Sequence, residues 1–434
     1  MNTAFSNYYK AGKILVLLFT AATVFAQNNT EEFTVGGLKV ILHQTQKETL
    51  AMSMYFRGGS ANYTAQNAGI ESLALSGTIE CGTGKYSAGE FNDQVDEYGL
   101  HLEGDASNDY GLVKLKCISR YMNEAWNLFS SAIASPEFET QKFDLLKDQK
   151  ISELNVALSN PDRRLSQLAK EFAFAGTPYA VNPDGTVASL TALNRNAVSD
   201  YYFNTLLNKS KMFLVVAGNI SRTDLEAKVK AAFSALPDKP YTPADITSQL
   251  FTEEISKIED RPIATNYVCG IINAPSLNSP DYPAYRLAII ILHSGLYDVI
   301  RLNRHLSYAP GAFVSAGKIA YTTMYASTSQ PQETVKTMRN VLAIVKDRRY
   351  SDKLLGDIKK SLLLSTSKHQ EIMSDIAGEL GNAEIMGNWK LAENLDSRIE
   401  AVDSKDITQV LNHYVNKIVW VYLGDSELGK KSFK

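Results

Sequence analysis

Cysteine is scarce in this 434-residue chain, which contains only Cys81, Cys117 and Cys269. An odd number at wide spacing argues against a disulfide framework and gives no pattern for a structural zinc site. Cys117 alternates with apolar residues in a strand pattern, and Cys269 lies in an apolar run, so both are expected to be small core residues. We therefore expect neither disulfides nor a zinc ribbon to stabilise the fold.

An excess of charge of either sign is also missing. The 44 lysines and arginines stand against 47 aspartates and glutamates, which gives a formal net charge of -3. This balance provides no electrostatic basis for binding nucleic acid or an anionic membrane. Neither class of partner is expected.

Histidine is rare, and its spacing gives no metal site. A catalytic zinc on a helix needs two histidines one turn apart, with a glutamate between them that acts on the bound water. No pair of the six histidines has this spacing, and we expect them to be surface or core residues: His43, His101, His293, His305, His369 and His413. A Gly-x-Ser-x-Gly elbow and a Walker loop are absent as well, so no alternative hydrolytic motif is recognised.

Long apolar runs are missing except near the N-terminus, where Ile14 to Phe25 follows Lys10 and Lys13 and ends just before Gln27. A basic start, a short apolar core and small or medium residues before the cut are typical of a secretory signal peptide. The run is short for a transmembrane helix. We predict a signal peptide at residues 1–26 and an exported mature protein, periplasmic or secreted, with no membrane span after cleavage.

What is present is an internal repeat. Leu145–Leu154 aligns without gaps on Leu354–Leu363, and Met212–Gly218 matches Val419–Gly424 at nearly the same separation. Two matches in the same order predict a duplicated domain, and the length of the chain also favours two domains. Strand patterns alternate with clustered helical patterns in each half. We therefore predict an α+β fold of two homologous domains, each an antiparallel β-sheet packed with helices.

The boundaries follow from a stretch that lacks periodicity. Residues 239–257 begin with Pro240 and Pro243 among polar residues and are predicted to be the linker. The N-terminal domain is then placed at residues 27–238 and the C-terminal domain at residues 258–434.

One segment gives the chain a family resemblance. Gly69–Thr83 is predicted to be a buried helix that ends at a Gly-Thr turn and follows a strand-like segment, Met52–Phe56. Together with the duplication and the segment Ala274–Ala284, it resembles the insulinase/pitrilysin-like zinc metallopeptidase family. The likeness is greatest to the short bacterial members and to the mitochondrial processing peptidase subunits, and it covers nearly the whole mature chain.

The resemblance implies where zinc ligands would stand. In the family this helix carries His-x-x-Glu-His, whereas here Ser72 or Leu73 falls at the first histidine and Ser76 or Gly77 at the Glu-His pair. Glu153 falls at the position of the third ligand. Because a single glutamate does not hold zinc alone, we expect no metal, no cofactor and no catalytic residue in this chain, and zinc in a partner subunit.

The resemblance also implies a substrate-binding pair, Arg301 and Tyr308, seven residues apart as in the family's second domain. A guanidinium and a phenol can both donate hydrogen bonds to a peptide carbonyl or to the oxyanion formed from it. In split enzymes of the family, the subunit without zinc can supply this pair. Arg304 is a competing candidate, and a surface arginine beside a tyrosine is the simpler alternative.

These expectations combine into one functional hypothesis. The chain is expected to be the non-catalytic, substrate-binding subunit of an exported heterodimeric zinc metallopeptidase, paired with a homologous subunit that contains His-x-x-Glu-His and acting on a peptide substrate. One alternative is a structural or scaffold homologue without a proteolytic role. Another is a zinc endopeptidase active on its own. A third is an active hydrolase that uses an unrecognised site, which no motif supports.

Overall fold

The structure, a computed structural model, describes residues 29–246 and 250–433. The predicted signal peptide, residues 1–26, lies outside this part of the chain. The described residues form two β-sheets packed with many helices. The α+β class predicted from the sequence is confirmed.

The first half contains, in chain order, these strands and helices: β1 (Thr30–Val35), β2 (Leu38–Gln44), β3 (Thr49–Arg57), α1 (Ile70–Glu80), α2 (Ala88–Glu97), β4 (His101–Ala106), β5 (Tyr110–Ile118), α3 (Met122–Ala134), α4 (Thr140–Ser159), α5 (Pro161–Ala173), α6 (Val187–Ala192), α7 (Arg195–Tyr201), β6 (Met212–Gly218) and α8 (Arg222–Phe233). The second half contains β7 (Ile255–Asp260), β8 (Asn266–Asn273), α9 (Tyr282–Leu296), β9 (Gly311–Ser315), β10 (Tyr321–Thr328), α10 (Pro331–Asp347), α11 (Asp352–His369), α12 (Met373–Ile385), α13 (Lys390–Glu393), α14 (Leu395–Ala401), α15 (Ser404–Tyr414), β11 (Val419–Gly424) and α16 (Ser426–Ser432).

The first sheet has six strands in the order β1-β2-β6-β3-β5-β4. Its first hairpin turns at Gly36 and Gly37, whose φ angles of 56° and 90° lie in the left-handed region. Glycine adopts these angles without the steric penalty of a side chain, which explains why this pair stands at the turn. The central strand β3 is buried from Leu50 to Phe56 because protein covers both faces of the sheet.

The second sheet repeats this arrangement. Its order, β7-β11-β8-β10-β9, matches the neighbouring strands β2-β6-β3-β5-β4 of the first sheet. The repeated sequence segments lie in equivalent elements, α4 with α11 and β6 with β11, so the predicted duplication is confirmed in topology. One detail is corrected: β2 with β6 and β7 with β11 are parallel pairs, so neither sheet is antiparallel throughout.

Each half covers one face of the other half's sheet with a helix, and we call α5 and α12 the exchanged helices. α5 of the first half packs on the second sheet, where Leu165 and Leu168 share an apolar cluster with Val421. α12 of the second half packs on the first sheet, where Leu380 joins a cluster that contains Tyr55. Each exchanged helix directly follows the long helix of its own half, α4 or α11.

Ion pairs connect the same elements. Arg164 on α5 donates from Nε and Nη2 to the Glu259 carboxylate of β7, at 3.0 and 2.5 Å. Glu384 on α12 is almost fully buried, and its carboxylate lies 2.6 Å from Arg57 Nη2 and 3.0 Å from Lys39 Nζ of the first sheet. Because a buried or partly buried charge is stable only next to its partner, each ion pair orients its helix on the opposite sheet.

Between α8 and β7, residues 234–246 and 250–254 form no helix or strand, and the predicted linker range is corrected at its C-terminal end. β7 begins at Ile255, inside the predicted linker range of 239–257, because Ile255 already pairs with Val419 of β11. Within the described ranges, none of the helices has both the length and the hydrophobicity that a membrane crossing requires.

Candidate functional site

Helix α1 stands where the resemblance places the zinc helix, and it is packed on every side. Its first ten residues, Ile70 to Ile79, are all buried. The Ser76 hydroxyl donates to the Gly104 carbonyl of β4 at 3.1 Å. A Cβ atom on Gly104 would lie 2.2 Å from the Leu75 carbonyl oxygen, so the β4 backbone touches the helix backbone directly. A catalytic zinc site needs an open coordination position, and this contact leaves none on that face.

A buried carboxylate begins the same helix. Glu71 Oε2 accepts hydrogen bonds from the Tyr201 hydroxyl at 2.5 Å and from Asn62 Nδ2 at 3.0 Å. Asn62 Oδ1 in turn accepts from Lys211 Nζ at 2.7 Å. Burial raises the pKa of Glu71 to about 7, although these hydrogen bonds and the charge of Lys211 oppose the shift. The network joins α1 to the end of α7 and was not recognised in the sequence, where its members are far apart.

Glu153, at the position of the family's third zinc ligand, lies on the solvent side of α4. Its side chain is 53% exposed and its carboxylate lies 3.8 Å from Lys150 Nζ. Gln149 Nε2 donates to Glu153 Oε1 at 2.9 Å. These are ordinary contacts between neighbours on one helix face, so Glu153 is a solvated helix carboxylate.

The residues at these positions do not fit a zinc ion. Zinc in proteins is bound by cysteine, histidine, aspartate or glutamate, whereas Ser72 and Ser76 offer hydroxyls and Leu73 and Gly77 offer no side-chain ligand. Within residues 29–246 and 250–433, no three histidine, cysteine or acidic side chains gather into a group that could hold a metal. In this chain α1 is a core helix, and no reaction step can be assigned to it.

The second expected site is assembled in the structure. The guanidinium carbon of Arg301 lies 4.1 Å from the centre of the Tyr308 ring and 5.0 Å from that of Tyr297. An aromatic ring attracts a cation placed over its face. Tyr308 is 77% exposed, so the two residues form a cationic and aromatic surface that a ligand can reach.

The backbone brings the two side chains together by reversing direction. Arg301 lies on a π-helix, Tyr297–Asn303, that continues α9. His305 then takes a φ of 54°, and the Leu306 amide donates back to the Ile300 carbonyl at 2.8 Å. After this reversal, the Tyr308 side chain lies at the surface, next to Arg301. The next strand, β9, begins at Gly311, after this reversal.

The competing candidate, Arg304, is neutralised. Its guanidinium pairs with the Glu333 carboxylate and donates to Thr337 Oγ1 at 3.2 Å, both on α10. Arg301 forms no ion pair with any residue in the described part of the chain. Of the two arginines, Arg301 is therefore the one whose donors are available to a ligand.

A cavity of about 700 Å³ lies between the two halves, and sequence reasoning did not find it. The first half contributes Asp109 and Lys170, and the second contributes Arg286, Glu379 and Asp396. Four tyrosine rings complete much of the wall: Tyr110, Tyr179, Tyr282 and Tyr321. These residues come from distant parts of the chain, so no local motif marks them.

Comparison with protein families places both halves in the same family. The model described as insulinase, peptidase family M16, matches residues 39–182. The model described as the peptidase M16 inactive domain matches residues 192–362. Together the two models account for most of the chain.

Curated relatives agree with this assignment. The probable mitochondrial-processing peptidase subunit beta of Arabidopsis thaliana is 22% identical over 366 residues, which span 77% of this chain and 66% of that protein. The non-peptidase homolog YmxG of Helicobacter pylori is 22% identical over 388 residues, which span 86% of this chain and 89% of that protein.

Solved structures share the fold at low sequence identity. A peptidase M16 inactive domain protein from Pseudomonas fluorescens superposes with a TM-score of 0.82 at 20% identity, covering 92% of this chain and 98% of that one. A protease from Helicobacter pylori superposes with a TM-score of 0.84 at 16% identity, covering 91% and 99%. The resemblance drawn from the sequence is confirmed: this chain belongs to the insulinase family, peptidase family M16, as a member in which the zinc-ligand positions of α1 hold no metal-binding side chain.

Proposed function

We propose that the protein is the non-catalytic, substrate-binding subunit of an exported heterodimeric zinc metallopeptidase. The observation that carries the proposal is the contrast between two sites. The backbone of Gly104 packs directly on helix α1, which has no side chain at the zinc-ligand positions that binds zinc. In contrast, Arg301 and Tyr308 meet at the surface, and Arg301 forms no ion pair with a carboxylate among the described residues. This contrast favours ligand binding by Arg301 and Tyr308 over a purely structural role for the chain.

The pair can hold a peptide through hydrogen bonds. The planar guanidinium of Arg301 presents several N–H donors, and the Tyr308 hydroxyl presents one more, so together they can bind a backbone carbonyl. Stacking against Tyr308 and Tyr297 limits the rotation of Arg301 before the ligand arrives. Donors that are already oriented stabilise a developing oxyanion more effectively than mobile ones. In the complex, zinc in the partner subunit would polarise the carbonyl and activate water.

The proposed partner is a homologous chain that contains His-x-x-Glu-His. Support comes from the Arabidopsis relative, whose name describes it as one subunit of a processing peptidase. Export to the periplasm or beyond is proposed from the signal-peptide pattern at residues 1–26. N-terminal sequencing of protein recovered from the periplasm and medium tests it. A mature chain that begins near Gln27 agrees with export, and an intact Met1 in the cytoplasm contradicts it.

The experiment that tests the function begins with purification of the full mature chain from its native host and identification of bound proteins by mass spectrometry. We expect a stoichiometric homologue that carries His-x-x-Glu-His. Peptide cleavage is then measured in the reconstituted complex with Arg301→Ala, Tyr308→Phe and the matched control Arg304→Ala. Removing one oxyanion donor lowers turnover by about 10²–10³, so the first two variants should lose activity by about that factor.

The control separates the pair from a general effect of removing an arginine. Among the described residues, Arg304→Ala breaks only the side-chain contacts with Glu333 and Thr337, so the complex should keep its turnover. All three variants should still assemble with the partner, as checked by size-exclusion chromatography. If Arg301→Ala and Tyr308→Phe leave turnover unchanged, the pair is structural and the scaffold alternative replaces the proposal.

A further inference from the structure

The cavity between the halves has the size and the lining of a small-molecule site. Its volume of about 700 Å³ falls within the range of roughly 300–1,000 Å³ typical of such sites. Its walls combine tyrosine rings with a few charged groups that come from both halves. Neither Arg301 nor Tyr308 contributes to the lining, so this cavity is separate from the site discussed above.

One guanidinium in the cavity wall makes no hydrogen bond or ion pair within the described residues. Arg286 projects from α9 and, within the described part of the chain, forms no hydrogen bond or ion pair. A half-buried arginine usually pairs with a carboxylate, because its planar donors match two carboxylate oxygens. The donors of Arg286 are therefore available to a carboxylate that a ligand brings.

Two carboxyl groups stand near this guanidinium. Glu379 on α12 and Asp396 on α14 also line the cavity, and both lie close enough to Arg286 for its charge to act on them. Partial burial raises the pKa of both groups, and the charge of Arg286 lowers it in part. In the described residues Glu379 has no hydrogen-bonded partner, and it can accept from a ligand ammonium group.

The cavity wall also contains a carboxylate of which only one oxygen is hydrogen-bonded. Asp109 is 8% exposed, and its Oδ2 accepts from the Tyr179 hydroxyl at 2.6 Å and from the Lys318 amide at 3.2 Å. Its Oδ1 has no hydrogen-bond partner in the described chain. Buried carboxylate oxygens are normally hydrogen-bonded, so this oxygen is an acceptor for an N–H group of a ligand.

The distribution of charge selects the ligand class. A purely anionic ligand would face Asp109, Glu379 and Asp396, and a purely cationic ligand would face Arg286 and Lys170. A molecule that carries both a positive and a negative group can place each of them next to a cavity residue of opposite charge. We infer that the cavity binds a small zwitterion with its carboxylate at Arg286 and its ammonium group at Glu379 and Asp396, the chemistry shared by free amino acids and short peptides.

This inference goes beyond the proposed function, because it assigns a second ligand site that the chain needs no partner subunit to form. The walls come from both halves, so a bound ligand would add contacts between them. The site can fail while Arg301 and Tyr308 still support cleavage in the complex, and the reverse also holds.

Isothermal titration calorimetry on the isolated full chain tests the inference. The probes are leucine and the tripeptide Ala-Leu-Ala, each with free ends, with an acetylated amine and with an amidated carboxylate. We expect at least one probe with free ends to bind. Either blocking group should lower the affinity for that probe about tenfold or more, because a hydrogen bond to a charged group is lost. Binding of leucine alone identifies a free amino acid as the ligand, and binding of the tripeptide identifies a peptide.

Two variants assign the ends of the ligand, and a third is the matched control. Arg286→Gln should lower the affinity for the probe with free ends to that of the probe with an amidated carboxylate. Glu379→Gln should lower the same affinity to that of the probe with an acetylated amine. Arg349→Gln removes an exposed arginine outside the cavity and should change nothing. Should Arg286→Gln fail to fold, Glu379→Gln at an exposed lining residue gives the answer alone. The inference is overturned if no probe binds at about 10 mM, if blocked and free probes bind equally, or if the folded variants bind like the natural chain.

Discussion

Replacing Gly104 by alanine tests whether β4 closes over the helix that carries zinc in other members of the family. The new Cβ would lie 2.2 Å from the Leu75 carbonyl oxygen, 2.4 Å from its carbon and 2.7 Å from the Ser76 nitrogen. All three are backbone atoms of α1, so no side chain can rotate away to relieve the contact. Either the edge strand or the helix has to move.

Two effects contribute to the expected loss of stability. Forcing an extra methyl group into a packed interior costs about 1–3 kcal/mol. Moving β4 away also breaks the hydrogen bond from the Ser76 hydroxyl to the Gly104 carbonyl, which contributes about 1 kcal/mol. We therefore expect Gly104→Ala to lower the free energy of unfolding by about 2–4 kcal/mol.

Urea unfolding followed by circular dichroism measures this change, with Gly89→Ala as the matched control. Gly89 lies on the exposed side of α2 and a Cβ there would meet no atom within 4 Å. Alanine also favours the helix over glycine by up to about 1 kcal/mol, so the control should not lose stability. A Gly104→Ala protein as stable as the natural chain would show that α1 and β4 are not in contact and would reopen that face to a metal.

Three further outcomes are expected. Glu384→Gln should lower the free energy of unfolding by about 2 kcal/mol, because it leaves the Arg57 charge without its buried partner. Glu427→Gln, on α16, changes a side chain that is 71% exposed and should have no measurable effect in the same urea titration. Because burial raises the pKa of Glu71 to about 7, the folded carboxyl keeps a proton that the unfolded one has already lost, so stability should fall as the pH rises from 5 to 7, by up to about 1.4 kcal/mol per pH unit. Glu71→Gln should remove that slope, and an unchanged slope would show that another group causes it. Finally, elemental analysis after incubation with zinc and exhaustive dialysis should find far less than one zinc per chain, and a stoichiometric, retained zinc would contradict the description of α1.

The local elements could be predicted from sequence because their signals are local. The glycine pair at Gly36 and Gly37 predicts a turn, and Asn160-Pro161 predicts the end of α4. The alternation of apolar and polar residues predicts β5. The duplication was also visible, since ten aligned positions in α4 and α11 keep their pattern without a gap. The family resemblance then gave the position of the zinc helix and of the Arg301 and Tyr308 pair.

Other features depend on contacts between distant segments. The parallel pairing of β2 with β6 joins strands from opposite ends of the first half, and strand propensity is the same for either direction. The contact of Gly104 with Leu75 depends on how closely two backbones approach. The convergence of Arg301 and Tyr308 needed a reversal at His305, where a residue other than glycine takes a positive φ. No residue pattern marks such a position.

The exchanged helices also affect the order in which the chain can fold. The apolar face formed by Ile41, Tyr55, Phe213 and Val215 is covered by α12, which is synthesised long after the first sheet. Until residues 373–385 leave the ribosome, that face has only solvent or a chaperone against it. A fragment that ends in the linker would keep this surface exposed and should aggregate. For this protein, completion of the N-terminal half is one of the last events of folding.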